Sequence, residues 1–397
     1  MFEGFTPPQT PLLVIDRARL EKNLSTMQRL CDAAGVRLRA HGKTHKCSRL
    51  GRMQVARGAV GLCAQTVGEA EAFVAGSIND VLVTAPIAPW GAPRLAALAK
   101  GGAQIGVVAD TEEQIARLGQ AARNAGVVLD LVVDLDLGTH RTGAYPNQAV
   151  KLARAAAEAG GLNFAGVQAY LGHLQHVTEV GARKDADEEG IRELAQTVEA
   201  LRAANLAPGV VTGGGTGTHA FDLVSGVFNE LQAGSYAVMD VEYEACAAPG
   251  GEGWPFEPAM FIAATVVSAH HKTHVTCDAG FKAVAVDGPP AKVVAGAAEG
   301  SLWRPMGDEH GAVIHPFFTP AMRAGGSDPI MAARAIALAD ANEDFPWAAD
   351  APKVGDVVWL QPGHCDPTIN LYDALHVVGE DGKVERWAVD ARRVSAG

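Results

Sequence analysis

The chain has no run of about 18 apolar residues, the length that a membrane span requires, although 48% of its 397 residues are hydrophobic. It has no excess of basic charge: the formal net charge is −12, which argues against broad nucleic-acid binding. An anionic cofactor is still allowed, because backbone amides can hold a phosphate locally. There is no Cys-x-x-Cys pair. Cys31, Cys47, Cys63, Cys246, Cys277 and Cys365 are scattered, a usage expected of a reduced cytoplasmic protein. The stretch Met1-Phe2-Glu3-Gly4-Phe5-Thr6-Pro7-Pro8 has neither a basic cluster nor a long apolar run, so secretion is not expected. No long low-complexity linker divides the chain, yet its length predicts two domains.

What is present is a rhythm of short apolar runs, most of them followed by an alanine-rich helical pattern. The runs begin near Val36, at Ala59–Gln65, Asp80–Thr84, Gln104–Val108, Leu129–Leu135, Phe164–Tyr170 and Gly209–Thr212, with an eighth inside Glu230–Asp240. Asp110-Thr111-Glu112-Glu113 reads as a cap and acidic first turn of a helix. Parallel strands need such crossovers, and eight repeats match a (β/α)8 barrel of the TIM type. A doubly wound open sheet is the competing architecture. After Tyr243 the runs Phe261–Val267, His274–Asp278, Val354–Leu360 and Leu375–Val378 lack regular intervening helices, which predicts a mainly β second domain. The expected division is a barrel over 12–245 and a β domain over 250–397, joined by the segment 1–11. Pro320–Trp347 reads as partly helical, through Met331–Leu338.

Lys43, in Arg39-Ala40-His41-Gly42-Lys43-Thr44-His45-Lys46, follows the first run. Most lysines are simply solvated. One held at a strand end and partly desolvated can instead attack a carbonyl and form a Schiff base. Thr212-Gly213-Gly214-Gly215-Thr216-Gly217-Thr218 follows the seventh run. Its glycines allow a tight turn, and free N–H groups with threonine hydroxyls suit a phosphate; the plain alternative is a flexible turn. In barrels, phosphate sites commonly follow strands seven and eight. A nucleotide P-loop is excluded, since Arg37 stands where that pattern needs glycine.

His364-Cys365-Asp366-Pro367-Thr368 sits just past a strand. On extended backbone His364 and Asp366 would point to one side. An imidazole with a carboxylate suits a borderline divalent metal, and a polar turn is the other reading. His41 and His45 read better as hydrogen-bonding neighbours of Lys43 than as metal ligands. His176 reads either as a proton carrier at the barrel mouth or as a structural residue. Arg141 can pair with a phenolate or carboxylate, while Asp134 and Asp136 are expected to anchor its loop.

Taken together, six segments resemble the D-threonine aldolase family. They are His41–Lys46, Gln168-Ala169-Tyr170 with Gln175-His176, Gly213–Gly217, Glu230–Gln232 with Gly234-Ser235-Tyr236, Asp308–Gly311, and Pro362–Thr368. The resemblance implies an alanine-racemase-like fold of type III. It implies pyridoxal phosphate on Lys43, with Gln65, Arg141 and Tyr170 around the ring and Thr216, Gly217, Thr218 and Tyr236 at the phosphate. It further implies a divalent metal on His364 and Asp366: manganese first, then magnesium, cobalt or zinc. The reaction implied is retro-aldol cleavage of a D-β-hydroxy-α-amino acid to glycine and an aldehyde by a homodimer, with His176 or a metal-bound water as base. Dehydratases of D-serine or hydroxyaspartate are similar but carry cysteine second in a His-x-Cys pair, where Asp366 stands here. A carrier that binds pyridoxal phosphate without turnover is the alternative from another class. His173 and Leu171 depart from the small or polar residues of the family.

Overall fold

The computed structural model describes residue 2, residues 5–319, residues 334, 337 and 341, and residues 351–392. The expected helical segment 320–347 lies outside the described residues, apart from Arg334 and Ala337, which are helical, and Ala341. The chain divides into two compact units. One gathers the described residues of Met1–Leu20, Val238–Glu244 and Glu257–Trp387; the other those of Glu21–Ala237, Ala245–Phe256 and Ala388–Gly397.

The second of these units is a closed barrel of eight parallel strands: β2 Arg37–His41, β3 Gly61–Ala64, β4 Asp80–Val83, β5 Gln104–Ala109, β6 Leu129–Leu135, β7 Leu162–Ala169, β8 Val210–Gly213 and β9 Glu230–Leu231. Strand β2 closes the ring by pairing with β9, Leu38 against Leu231. The open doubly wound sheet is thereby excluded. Most connections pass through helices: α2 Ser48–Val55, α3 Val67–Ala75, α4 Gly91–Lys100, α5 Glu112–Ala125, α6 Ala149–Glu158, α7 Val180–Ala203 and the short α8 His219–Asp222. Their starts obey local chemistry. Thr66 and Thr111 cap α3 and α5, each hydroxyl accepting a backbone N–H three residues on, which satisfies a donor that the helix leaves open. Helix α5, for example, lays an apolar stripe of Ile115, Leu118 and Ala122 on the barrel.

The other unit is built on a nine-stranded sheet. Strand β1 (Leu12–Asp16), followed by α1 (Arg17–Ala34), lies antiparallel to β10 (Met260–Ser268) and parallel to β16 (Ala374–Val378). The run Leu12–Ile15 therefore belongs to this sheet, and the barrel unit begins at Glu21 rather than at residue 12. Strands β11 (His274–Cys277), β12 (Lys292–Ala295), β13 (Leu302–Pro305), β14 (Gly311–Ile314) and β15 (Val357–Gln361) complete the ring, because β10 pairs with both β11 and β15. Strand β17 (Val384–Ala388) forms the far edge. Leu12, Val14, Phe261, Ala263, Trp359 and Val378 form one core, against which Phe2 and Phe5 pack. Helix α9 (Val241–Glu244) and a helix after β15, α10 (Cys365–Ile369), carry the remaining polar residues of interest. Among the described residues no helix is long and apolar enough to cross a membrane.

Candidate active site

Lys43 stands two residues past β2, half-buried at the carboxyl end of the barrel. The turn that holds it is fixed from both sides: Gly42 N–H donates to the Cys63 carbonyl (2.9 Å) and Lys46 N–H to the Gly42 carbonyl (2.8 Å). His41 is buried, and burial together with the Lys43 charge pushes its pKa well below the usual range. The ring is therefore neutral. Its Nδ1 accepts the Lys43 N–H at 3.4 Å, so the proton sits on Nε2, which faces Thr84 Oγ1 at 3.1 Å. Thr84 passes its hydrogen toward Gln65 Oε1 (3.3 Å) and the Ala64 carbonyl (3.2 Å). The Lys43 Nζ lies 5.7 Å from the centre of the Tyr170 ring, and the Arg141 Cζ lies 5.9 Å from the same ring. Lys43, Arg141 and Tyr170 thus converge, with His41, Thr84 and Gln65 behind the lysine.

Asp136 and Asp134 anchor the Arg141 loop. Asp136 Oδ1 accepts from Gly138 N–H (3.0 Å) and His140 N–H (2.9 Å), and Asp134 Oδ2 from Thr142 Oγ1 (3.0 Å). The hydrogen bonds that Asp136 accepts from His140 and Gly138 outweigh its partial burial and depress its pKa. Burial raises Asp134 to about 6 against its bonds from Gln168 and Thr142.

The glycine loop after β8 differs from a loop of open amides. Gly217 N–H donates to Gln175 Oε1 at 2.8 Å. The Thr218 hydroxyl donates its one hydrogen to Asp222 Oδ2 (2.6 Å) and accepts from Gln175 Nε2 (3.0 Å). A phosphate can therefore draw on Thr218 only through its backbone N–H. Thr216 Oγ1 accepts the Tyr236 N–H (3.0 Å), which leaves the Thr216 hydrogen to donate. His219, made neutral by burial that lowers its pKa to about 4, donates from Nδ1 to the Thr216 carbonyl at 2.8 Å. Tyr236 is fully buried, and its phenol accepts from Gln54 Nε2 at 3.0 Å, keeping its own hydrogen to donate. Burial raises its pKa well above that of an exposed phenol. His176 is half-buried one residue past Gln175, in the segment that leaves β7.

In the sheet unit, His364 and Asp366 do not share one extended strand. His364 is extended (φ −135°, ψ 122°) and caps α10, while Asp366 lies in its first turn. Two residues across a helix start replace the i, i+2 strand geometry, because the Cys365 N–H is held by Asp240 Oδ2 at 2.9 Å. His364 Nδ1 faces Asp287 Oδ2 at 2.8 Å. Asp366, Asp287 and Asp240 together overcome burial and raise the His364 pKa. Among the described residues no group of three or more His, Cys, Asp or Glu side chains gathers around a metal position. What the donors offer is an imidazole whose Nδ1 is fixed by a carboxylate, an arrangement that orients Nε2 for a ligand. Gln54, Thr84, Gln175, Asp240 and Asp287 were not singled out for these roles. Only Gln175 had a signal, its place beside His176.

A parallel eight-stranded barrel with a lysine at the end of its first strand defines a class, and the comparisons agree. The model for "Alanine racemase, N-terminal domain" matches residues 15–241, and that for "Putative serine dehydratase domain" matches 259–327 and 332–378. The chain belongs to the D-threonine aldolase family of enzymes. It is 38% identical to the 3-hydroxy-D-aspartate aldolase of Paracoccus denitrificans (97% of this chain, 92% of that one) and 38% identical to the D-threonine aldolase of an Arthrobacter species (97% and 93%). The crystal structure of D-threonine aldolase from Filomicrobium marinum superimposes with a TM-score of 0.86 at 36% identity, covering 97% of this chain and 96% of that one.

Proposed function

We propose that this protein cleaves D-β-hydroxy-α-amino acids to glycine and an aldehyde, using pyridoxal phosphate on Lys43 and a divalent cation on His364 and Asp366. The observation that carries the reading is the Lys43 amine above the Tyr170 ring at the carboxyl end of the barrel. The residues fit the cofactor: a half-buried amine, a guanidinium beside the same ring, and a loop offering the Thr216 hydroxyl and the Thr218 N–H. The pair His364 and Asp366 fits a cation held in part by water or substrate.

When bound, pyridoxal phosphate takes up the electron pair released on bond cleavage, and a divalent cation lowers the pKa of a bound hydroxyl. The chain's own residues do the rest. Lys43, held by the His41 and Gly42 turn, would hold the cofactor through its amine. The neutral His41 adds no second charge beside that amine. Tyr170, Arg141 and Gln65 would surround the cofactor ring. The Thr216 hydroxyl, the Thr218 N–H and the Tyr236 hydroxyl would hold the phosphate end, while Gly217, whose N–H is held by Gln175, shapes the loop around it. His176 takes the proton from the substrate β-oxygen. Asp366, rather than cysteine, favours cleavage over dehydration. Manganese is the first candidate metal, with magnesium, cobalt and zinc behind it. A cytoplasmic location belongs to the same reading, supported by six buried cysteines that are all free thiols, and a homodimer belongs to it through the family resemblance.

The test is a panel of D-threonine, D-phenylserine and 3-hydroxy-D-aspartate with each metal, assayed for glycine and aldehyde. Ammonia and a keto acid in their place would establish a dehydratase. Asp366→Ala is expected to keep the bound cofactor and to lower activity at least about a hundredfold, more than outer-shell partners of metals do. Full activity after chelation would remove the metal from the mechanism.

A further inference from the structure

Gln175 packs its whole length against the glycine loop. A Cβ built on Gly217 would lie 2.1 Å from the Gln175 carbonyl oxygen, and one on Gly215 would lie 2.3 Å from Gln175 Oε1. These glycines therefore admit Gln175 as much as any ligand. The side chain is buried, and its amide is satisfied on every side: Oε1 accepts from Gly217 N–H (2.8 Å), and Nε2 donates to Thr218 Oγ1 (3.0 Å) and to the Leu171 carbonyl (3.3 Å). The oxygen thus holds the loop, and the nitrogen ties the loop to the turn of Gln175 itself, whose next residue is His176.

The direction of these bonds matters. Thr218 receives a hydrogen from Gln175 and hands its own to Asp222 Oδ2. Burial and the nearby Asp187 push the Asp222 pKa up, while the bonds from Thr218 and Gly215 N–H oppose this. A carboxylate at 175 would have no donor for Thr218, so only an amide serves all three partners.

We propose that Gln175 is a positioning residue that sets the phosphate-gripping loop and the base His176 together, so that cofactor grip and proton transfer are coupled through one side chain. This rests on the reading of the site given above. A packing residue alone would affect stability and leave the titration of the base where it was.

The experiment compares Gln175→Met, close in shape but without the amide, with the wild-type enzyme. Cofactor-depleted protein is titrated with pyridoxal phosphate and with pyridoxal, which lacks the phosphate. The pH profile of kcat/KM is recorded on the reconstituted enzymes. The apparent Kd for pyridoxal phosphate is expected to rise about tenfold, the scale of leaving buried partners unsatisfied, while that for pyridoxal stays unchanged. The limb of the profile belonging to the base is expected to shift by about half a pH unit as its surroundings relax. Equal losses for both ligands, unchanged affinity, or an unmoved limb overturns the proposal. Absence of cofactor uptake by the wild type would instead overturn the reading of the site. Should Gln175→Met fail to fold, Gln175→Glu carries the same measurements; it keeps the acceptor for Gly217 and loses the donors.

Discussion

The two ends of the barrel are both polar inside, but in opposite ways. At the amino end Arg39 reaches Glu230 at 2.9 Å and Asp80 at 2.6 Å. It passes over β3 because Gly61 has no side chain: a Cβ there would lie 2.6 Å from Arg39 Nη1. Burial would lower the Arg39 pKa, but Glu230 and Asp80 raise it instead. At the carboxyl end the groups are mostly neutral. Gln168 Nε2 donates to the Thr84 carbonyl (3.0 Å) and Asp134 Oδ1 (2.8 Å), and Gln232 Nε2 to Gln168 Oε1 (3.0 Å) and Thr212 Oγ1 (3.1 Å). Paired charges close one end, whereas a web of amides and hydroxyls supports Lys43 at the other. Charge matched within the protein stabilises a fold, and a neutral web leaves a ligand's charge unopposed.

Lys43→Ala should separate the ends most sharply. Activity falls by roughly a thousandfold or more, the scale seen when a covalent catalytic group is lost. The visible absorption of lysine-bound cofactor disappears, and urea unfolding barely moves. A retained visible band would show that Lys43 is not the anchor. Arg39→Met should do the reverse. It leaves Glu230 buried without its main partner, and stability drops by about 3 kcal/mol in urea titrations. The folded fraction keeps its cofactor spectrum; a lost spectrum would dissolve the distinction between the ends.

The exception in the neutral web, Asp134, gives the third test. Its folded pKa is raised to about 6, so the native state binds more protons than the unfolded chain between about pH 4 and 6. Its stabilising contribution is full below about pH 4 and is lost as pH rises through 6. Asp134→Asn should flatten that slope and, at pH 7, exceed the wild type by about 2 kcal/mol. An unchanged slope in thermal unfolding would place the titration elsewhere. Thr84→Val, which removes the hydroxyl between His41 and Gln65, should cost about 1 kcal/mol. A loss no greater than for a surface substitution would mean that the web does not support the lysine turn.

The barrel was legible because each strand is an apolar run with its own crossover helix, and such periodicity survives without long-range information. Leu129–Leu135 was read to the residue, and the caps at Thr66 and Thr111 fit the patterns around them. Strands β12, β13 and β14 were not read: they have four residues each, like β3, β4 and β8, but no crossover helix marks them off. The apolar run of β1 carried no mark that its partners are β10 and β16, more than two hundred residues away. At the site, Lys43 and Arg141 were singled out by type and place in the order of strands and Tyr170 by the family resemblance; the fold brings the three side chains together. The His364 and Asp366 geometry was misread, because a helix start after β15 depends on Asp240 holding the Cys365 N–H.

By itself the sequence determined the number and order of barrel strands, the lysine at the end of the first, the glycine loop after the seventh and the His364–Asp366 pair. These follow from periodicity and residue chemistry, which act locally. Only the tertiary structure decided where the hydrogens go. Gly217 N–H and the Thr218 hydroxyl are held by Gln175 and Asp222, the His41 proton lies on Nε2, and Arg39 reaches two carboxylates across the barrel. Hydrogen bonds are directional and burial is collective, so these assignments exist only once distant segments are folded against each other.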